Sequence, residues 1–282
     1  MGAGVTGGAP EALTIEELSQ LCALLRRCTG MIFGEKKRYY LERRIAALMK
    51  TAGIADAGTY LLALANDPAE RQKLINAVTV NETYFYREDR QFAALSERIL
   101  PAIVQDRRPG DRVRIWSLPC STGDECYSIA IWLLENWALV DAYLIEIVGS
   151  DIDTRALAAA REGRYGTRAL SHLPESVRAA YFESEHRHER QIIQDLRESV
   201  GFTQANIVDR QSMRAAGRFD VILCRNLLIY FDEEGRRAAA ENLYDALNPG
   251  GFLCLGHSES MARIDPRFTL VRLGDAIVYR RD

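Results

Sequence analysis

The stretch Val113-Arg114-Ile115-Trp116-Ser117-Leu118-Pro119-Cys120-Ser121-Thr122-Gly123-Asp124-Glu125, continued as far as Asp153, decides the fold. Its first residues are short, apolar and partly alternating, the pattern of a strand, and Pro119 cannot continue a central ladder. Ser121-Thr122-Gly123 then forms a small-residue turn. From Asp124 the apolar residues Tyr127, Ile129, Ala130, Ile131, Leu133 and Leu134 follow helical spacing, and acids in the first turn suit the positive end of the helix. A second apolar run, Ile145-Glu146-Ile147-Val148-Gly149, ends at Ser150-Asp151-Ile152-Asp153. Strand, turn, helix, strand and terminal acid is how an α/β protein builds a pocket for a nucleoside-bearing cofactor. An acid at the end of the second strand, roughly 20 to 30 residues past the turn, is where such folds hydrogen-bond ribose hydroxyls. The GxGxxG spacing of a dinucleotide site is missing. The competing reading is an ordinary βαβ unit whose acids cap the next helix.

Working outward, 282 residues suffice for two modest domains or one large one. A hydrophobic content of 48% and a charged content of 27% are those of a soluble globular chain. No apolar run reaches the roughly 18 residues that span a bilayer, so no membrane insertion is expected. The start, Met1 to Pro10, lacks the basic and apolar regions of a signal peptide, which predicts a flexible tail over 1–12 and a cytoplasmic protein. A net charge of -3 argues against a general nucleic-acid binder while leaving room for a local basic face. Six cysteines without CxxC spacing read as reduced, packed thiols, and four histidines give no metal set.

The N-terminal part, 13–90, reads as a helical domain. Thr14 and Glu17 form a capping box, Leu18, Leu21, Leu24 and Leu25 mark one apolar face, and Gly30 stops the helix. A second helix is expected from about Glu35 to Thr51, burying Tyr40, Leu41, Ile45, Leu48 and Met49, with shorter ones near 59–65 and 68–78. The second helix carries Lys36, Lys37, Arg38, Arg43, Arg44 and Lys50. That surface is either a solvated face or a docking face for an acidic helical partner. Asn81-Glu82-Thr83-Tyr84-Phe85-Tyr86-Arg87-Glu88, at the end of the bundle, mixes amide, hydroxyl, aromatics and guanidinium as no amphipathic helix requires, and suits a pocket wall.

A linking helix over 91–108 leads to an α/β domain over 109–282. Further strands are expected at Gly201 to Asn206, Phe219 to Asn226 and Phe252 to His257, with two more after Phe268. Helices fit Thr154 to Glu162 and Glu233 to Leu247. Between them, about 164–200 is charged, turn-rich and poor in helix or strand signal, which reads as an insertion forming a small β-subdomain.

At this point the chain resembles the CheR family, S-adenosylmethionine-dependent methyltransferases that esterify glutamates of bacterial chemoreceptors. The resemblance runs from about residue 14 to the end and rests on four ordered motifs: Asn81 to Glu88, Trp116 to Ser128, Gly149 to Asp153, and Phe219 to Phe231. It implies a Rossmann-like class I methyltransferase domain with an inserted β-subdomain, preceded by an all-α domain. It also implies S-adenosylmethionine as cofactor, S-adenosylhomocysteine as product and no metal. The partner would be the cytoplasmic domain of a methyl-accepting chemoreceptor, and the enzyme a monomer.

Carried over by motif, Asn81, Thr83 and Arg87 resemble cofactor-side residues, with Arg87 also in the active site. Glu125 would contact the amino-acid part of the cofactor and Asp151 the ribose. Asn206 and Ile207 resemble the adenine-binding pair, while Cys224, Arg225 and Asn226 would line the pocket at a strand end. Arg87 and Tyr230 are the expected catalytic residues, and Lys37, Arg38 and Arg44 the receptor-docking ones. For Asp153 a helix cap is the preferred reading. The turn departs from the family's usual pattern at Asp124 and Cys126.

These residue types suit the chemistry. A glutamate with an ordinary pKa near 4.3 is ionised at neutral pH, so methyl transfer to it needs no general base. Alignment of oxygen, methyl carbon and sulfur is what remains. Arg87 and Arg225 are expected to pair with the incoming carboxylate, and Tyr230 to donate a hydrogen bond to it. Two rivals stand beside this reading: a small-molecule or RNA acceptor, disfavoured by the acidic chain and the helical domain, and an idle cofactor-binding module.

Overall fold

Thr14 sets the first helix. In the computed structural model, which describes residues 13–282, the Thr14 hydroxyl accepts from the Glu17 amide at 3.2 Å and the Glu17 carboxylate accepts from the Thr14 amide at 2.8 Å. The tail expected over 1–12 lies outside the described residues. The helix, α1 (Ile15–Thr29), closes on Gly30, whose φ of 73° and bond to the Arg26 carbonyl form the left-handed cap anticipated from the sequence. Lys36 and Lys37 belong to a 3-10 turn (Glu35–Lys37) that precedes α2 (Arg38–Ala52), so the second helix starts later than its periodicity implies. The chain continues in α3 (Ala57–Asn66) and α4 (Pro68–Val78), each capped by an aspartate, Asp56 and Asp67. Leu21, Leu25, Leu41, Ile45, Tyr60 and Leu64 form their common core.

The chain divides into two compact units, one ending at Thr79 and one beginning at Val80. The second opens with α5 (Asp89–Ala94), a π turn (Leu95–Ile99) and α6 (Leu100–Val104). Pro101 accounts for the π turn. It has no N–H to give, and its ring crowds the carbonyl four residues back, so the preceding turn widens and the Leu100 amide reaches Leu95. Phe92, Leu95, Ile99 and Leu100 belong to the core of this second unit.

Seven strands follow in one sheet: β1 (Arg112–Ser117), β2 (Leu144–Asp151), β5 (Val200–Gln204), β6 (Phe219–Cys224), β7 (Leu247–Leu255), β8 (Phe268–Leu273) and β9 (Ala276–Arg281). Their order is β5-β2-β1-β6-β7-β9-β8, parallel except for β9, which is antiparallel to both β7 and β8. Every residue of β6 is buried, as a strand covered on both faces requires. Helices α7 (Asp124–Asn136) and α8 (Thr154–Glu162) pack on β2 and β5, and α12 (Glu233–Ala246) packs on β7 and on α11 (Arg210–Ala216). The chain runs outward from β1 to β2 and β5 and then crosses back to β6 on the other side of β1, so a crevice opens at the carboxyl end of β1.

Between α8 and β5 lies the insertion. Strands β3 (Arg164–Gly166) and β4 (Glu189–Gln191) pair antiparallel, with α9 (Glu175–Tyr181) between them and α10 (Gln194–Ser199) after. The small sheet anticipated there exists, but the segment holds more helix than strand. Phe85 is wedged edge-on against Tyr165 and Phe182, and its amide bonds the Ala169 carbonyl at 3.0 Å, which anchors the Asn81 to Glu88 segment on this insertion.

Candidate active site

The turn after β1 is held by β2. The Cys120 amide donates to the Ser150 carbonyl, and the Ser121 amide donates to Asp151 Oδ2 at 2.8 Å. Asp151 Oδ1 accepts the Asp153 amide, also at 2.8 Å. Gly123, at φ 87°, has no room for a side chain: a Cβ there would stand 2.9 Å from Ala160 Cβ and 3.2 Å from the Tyr165 hydroxyl. Burial pushes the Asp151 carboxyl up to about 6, against the backbone amides that favour its charged form. Asp153 accepts the Arg155 and Ala156 amides and caps α8, as the cap reading expects. It also takes a hydrogen bond from Asn81 Nδ2 at 2.9 Å, while Asn81 Oδ1 accepts from the Ser121 hydroxyl. Asn81 thus ties its own motif to the turn and to the end of β2.

Thr83, Arg87, Glu125, Arg225 and Asn226 line one cavity, with Tyr84 and Phe92 among its walls. Its volume is about 60 Å³, the space of roughly two waters. Asp151, Asn206, Ile207, Cys224 and Tyr230 do not line it. Asn206 and Ile207 follow β5 at the same carboxyl edge, where the Ala205 amide bonds the Asp151 carbonyl. Ile207 is buried, and its carbonyl accepts from Asn242 Nδ2. Cys224 is fully buried. Tyr230 sits on the 3-10 turn Leu228–Tyr230.

Arg225 departs from its expected part. Its side chain is 3% exposed, bonds Glu125 Oε2 at 2.8 Å and Glu88 Oε2 at 3.3 Å, and also donates to the Arg87 carbonyl. A guanidinium already paired twice is spent on organising the cleft and does not await a substrate carboxylate. Its partners respond: burial raises the Glu125 carboxyl, and Arg225 and the Ser117 hydroxyl pull it back only in part. For Glu88, burial is outweighed by Arg225 and His257, and the net direction is down. Arg87 differs. It donates to the Glu82 carbonyl, its guanidinium carbon stands 5.7 Å from the Tyr84 ring centre, and among the described residues it has no ion-pair partner.

Glu259 was not singled out by sequence reasoning. Its carboxylate accepts the Asn226 amide at 2.6 Å, the Leu228 amide at 2.7 Å and the Gly256 amide at 2.9 Å. Asn226 is held there at φ 59°, a left-handed conformation that costs a non-glycine residue energy unless its surroundings impose it. The only signal in the sequence is an acid in the Gly256-His257-Ser258-Glu259 turn directly after a buried strand.

In the first unit, the basic helix divides by environment. Arg38 bonds Glu42 at 2.8 Å and the Leu13 carbonyl at 2.6 Å. The Arg44 guanidinium lies 5.1 Å from the Tyr40 ring centre, and the Lys37 ammonium 5.6 Å from that of Phe33. Lys36, Arg43 and Lys50 are exposed. All six cysteines are free; Cys120, Cys126, Cys224 and Cys254 are buried. Burial raises the Cys120 and Cys224 thiols well above their ordinary value, and that of Cys254 to about 12.

Comparison with known proteins assigns the lineage. Residues 81–277 match the family described as CheR methyltransferase, SAM binding domain, and residues 16–79 match CheR methyltransferase, all-alpha domain. The chain belongs to the CheR family. Among its relatives, chemotaxis protein methyltransferase 2 of Vibrio cholerae is 45% identical over 254 residues, 89% of this chain and 88% of that protein. Chemotaxis protein methyltransferase 2 of Pseudomonas aeruginosa is 34% identical over 250 residues, 88% of this chain and 87% of that protein. Chemotaxis protein methyltransferase 1 of the same organism is 32% identical over 263 residues, 91% and 94% of the two chains. As a CheR protein the chain is an S-adenosylmethionine-dependent methyltransferase of chemotaxis.

The CheR sheet edge fits that cofactor. Asp151 keeps acceptor capacity beyond its two amides, Glu125 offers a second carboxylate to a cationic ligand, and apolar Ile207 follows the neighbouring strand. The 60 Å³ cavity has the size of the reacting end alone. No helix among the described residues is long and apolar enough to cross a membrane.

Proposed function

We propose that this protein transfers methyl groups from S-adenosylmethionine to glutamate side chains on the cytoplasmic helices of chemoreceptors. The observation that carries the reading is the division of labour between two arginines. Arg225 is neutralised inside the cleft, whereas Arg87 lines the same cavity and has no carboxylate partner among the described residues. An incoming glutamate carboxylate would supply that partner.

Asp151 and Glu125 are the residues that would hold the cofactor's ribose and amino-acid ends, with Asn206 and Ile207 at its adenine. Asn81 and Thr83 act from the cofactor side of the motif, and Cys224 and Asn226 end the strand beside it. The bound cofactor supplies an electrophilic methyl group on a sulfonium. No residue here has to remove a proton, since the acceptor is already a carboxylate at neutral pH. Arg87 orients that carboxylate, and Tyr84 and Phe92 keep water from it; loss of opposite charges in the reaction favours such a dry site. Arg87 positions and does not activate, because a guanidinium that held the oxygen tightly would blunt it as a nucleophile. Tyr230 sits on the turn that Glu259 anchors, so its placement follows that of Asn226.

The test uses methyl-labelled cofactor and a receptor cytoplasmic fragment. Label is expected on the receptor and is released by mild alkali, as a carboxyl ester is. Arg87→Ala is expected to lower kcat/KM by about 10²-fold, the order that misplacement of a reacting group costs. Label absent from protein, or stable to alkali, overturns the reading; an unchanged rate in Arg87→Ala removes that residue's role.

A further inference from the structure

A second cavity, of about 480 Å³, is lined by Ile229, Arg236, Ser258, Ser260, Arg263 and Ile264, with Leu228 and Glu259 also in its wall. Its uncommitted charge is basic. Arg236 donates through Nε to the Leu228 carbonyl at 3.0 Å, and among the described residues neither Arg236 nor Arg263 has an ion-pair partner. The acids nearby are engaged: Glu259 by three backbone amides, Asp232 by the Gly235 amide, Glu233 by Arg237. Two guanidinia without a carboxylate therefore face one cavity. Ile229, 46% exposed, gives the same cavity an apolar wall. The two cavities also share structure, since Glu259 ties the Asn226 of the cleft to the Leu228–Tyr230 turn and to Gly256.

We propose that Arg236 and Arg263 form a subsite for an acidic side chain on the same receptor helix as the accepting glutamate. The inference rests on the function proposed above and specifies its substrate: an amphipathic acidic helix rather than an isolated glutamate. A carboxylate one helical turn away, about 5.4 Å along the axis, projects from the same face as the accepting residue. Ser258 adds a hydroxyl donor, and Ile229 meets the apolar side of such a helix. Guanidinium pairs suit this task because they bind carboxylates in a forked geometry.

Arg263 is exposed and makes no hydrogen bond that holds the fold, so Arg263→Glu is the variant of choice. Its KM for a receptor cytoplasmic fragment is expected to rise about tenfold, the equivalent of one charge-assisted contact. The kcat at saturating receptor and the calorimetric Kd for S-adenosylmethionine should stay within twofold. A second arm leaves the enzyme untouched: a receptor fragment whose acids one turn from the accepting glutamate are changed to glutamine should raise the wild-type KM similarly. Combined with Arg263→Glu, that fragment should lose little more, as coupled partners do. Unchanged KM in either arm, or fully additive losses, overturns the subsite while alkali-labile transfer continues. If the wild type transfers no alkali-labile label at all, the functional reading fails and the subsite fails with it.

Discussion

At the scale of single residues, Asp124 sets two effects against each other. An acid in the first turn of a helix is favoured by the dipole by about 0.3 to 1 kcal/mol. Asp124, however, is 1% exposed, and burial pushes its carboxyl up to about 6 although the Thr122 hydroxyl donates to it at 2.6 Å. A rise of about two units from the ordinary value corresponds to roughly 3 kcal/mol, so desolvation wins. The folded state then binds this proton more tightly than the unfolded chain. The stabilisation is complete below pH 4 and is lost as pH rises through about 6. Thermal denaturation of wild type and Asp124→Asn should therefore favour the wild type more at pH 4.5 than at pH 7, and a difference that does not change with pH refutes the assignment. Asp153 could be read as a cap from the sequence because its partners are two and three residues away. Arg225 could not, because Glu125 lies 100 residues before it and the Arg87 carbonyl 138.

At the scale of elements, the cofactor cradle depends on how closely α7 approaches β2. Gly149 permits it: a Cβ there would stand 2.6 Å from Cys126 Sγ and 2.8 Å from the Phe202 ring. Gly149→Ala is expected to destabilise the protein by about 1 to 3 kcal/mol, as overpacking does, and to weaken cofactor binding because the helix carrying Glu125 must shift. Denaturant unfolding and calorimetry measure the two effects, and loss of stability with intact affinity would place the strain elsewhere. Elements with local signatures were legible in the chain. Thr14, Gly30 and Asp153 name the ends of α1 and α8, and the α8 boundaries follow. The insertion was harder. Its strands β3 and β4 are three residues each and pair across the α9 helix, so neither has the length for a period of two to emerge. The π turn before Pro101 was equally hidden, since a proline inside a helical pattern reads as a kink or a stop without saying how the backbone relieves it.

At the scale of the whole molecule, the chain pairs an all-α unit with a methyltransferase unit, and the charge on α2 concerns the partner. The three residues expected to dock the receptor, Lys37, Arg38 and Arg44, are all half-buried, Lys37 beside the Phe33 ring and Arg44 beside that of Tyr40. Arg38 is committed to Glu42 and Leu13, while Lys36, Arg43 and Lys50 are open to solvent. Reversal of Arg43 and Lys50 to glutamate is expected to raise KM for receptor several-fold and to flatten its salt dependence, because exposed charges act chiefly on encounter. Arg38→Glu should instead lower stability by about 1 kcal/mol, the typical net worth of a hydrogen bond, with cofactor affinity unchanged. Steady-state kinetics over a salt series separates the two, and equal effects from all three positions would deny the division. A sequence shows that a helix is basic; which of its charges already have partners is decided by folding.

The thiols carry one more consequence. A thiolate is a far better nucleophile than a carboxylate, and Cys120 stands in the turn of the proposed methyl-donor site, with Cys224 and Cys254 on the strands behind it. Raised by burial, these sulfurs stay protonated at neutral pH. Under the proposed function, the cleft thereby keeps its most nucleophilic side chains silent toward the methyl donor.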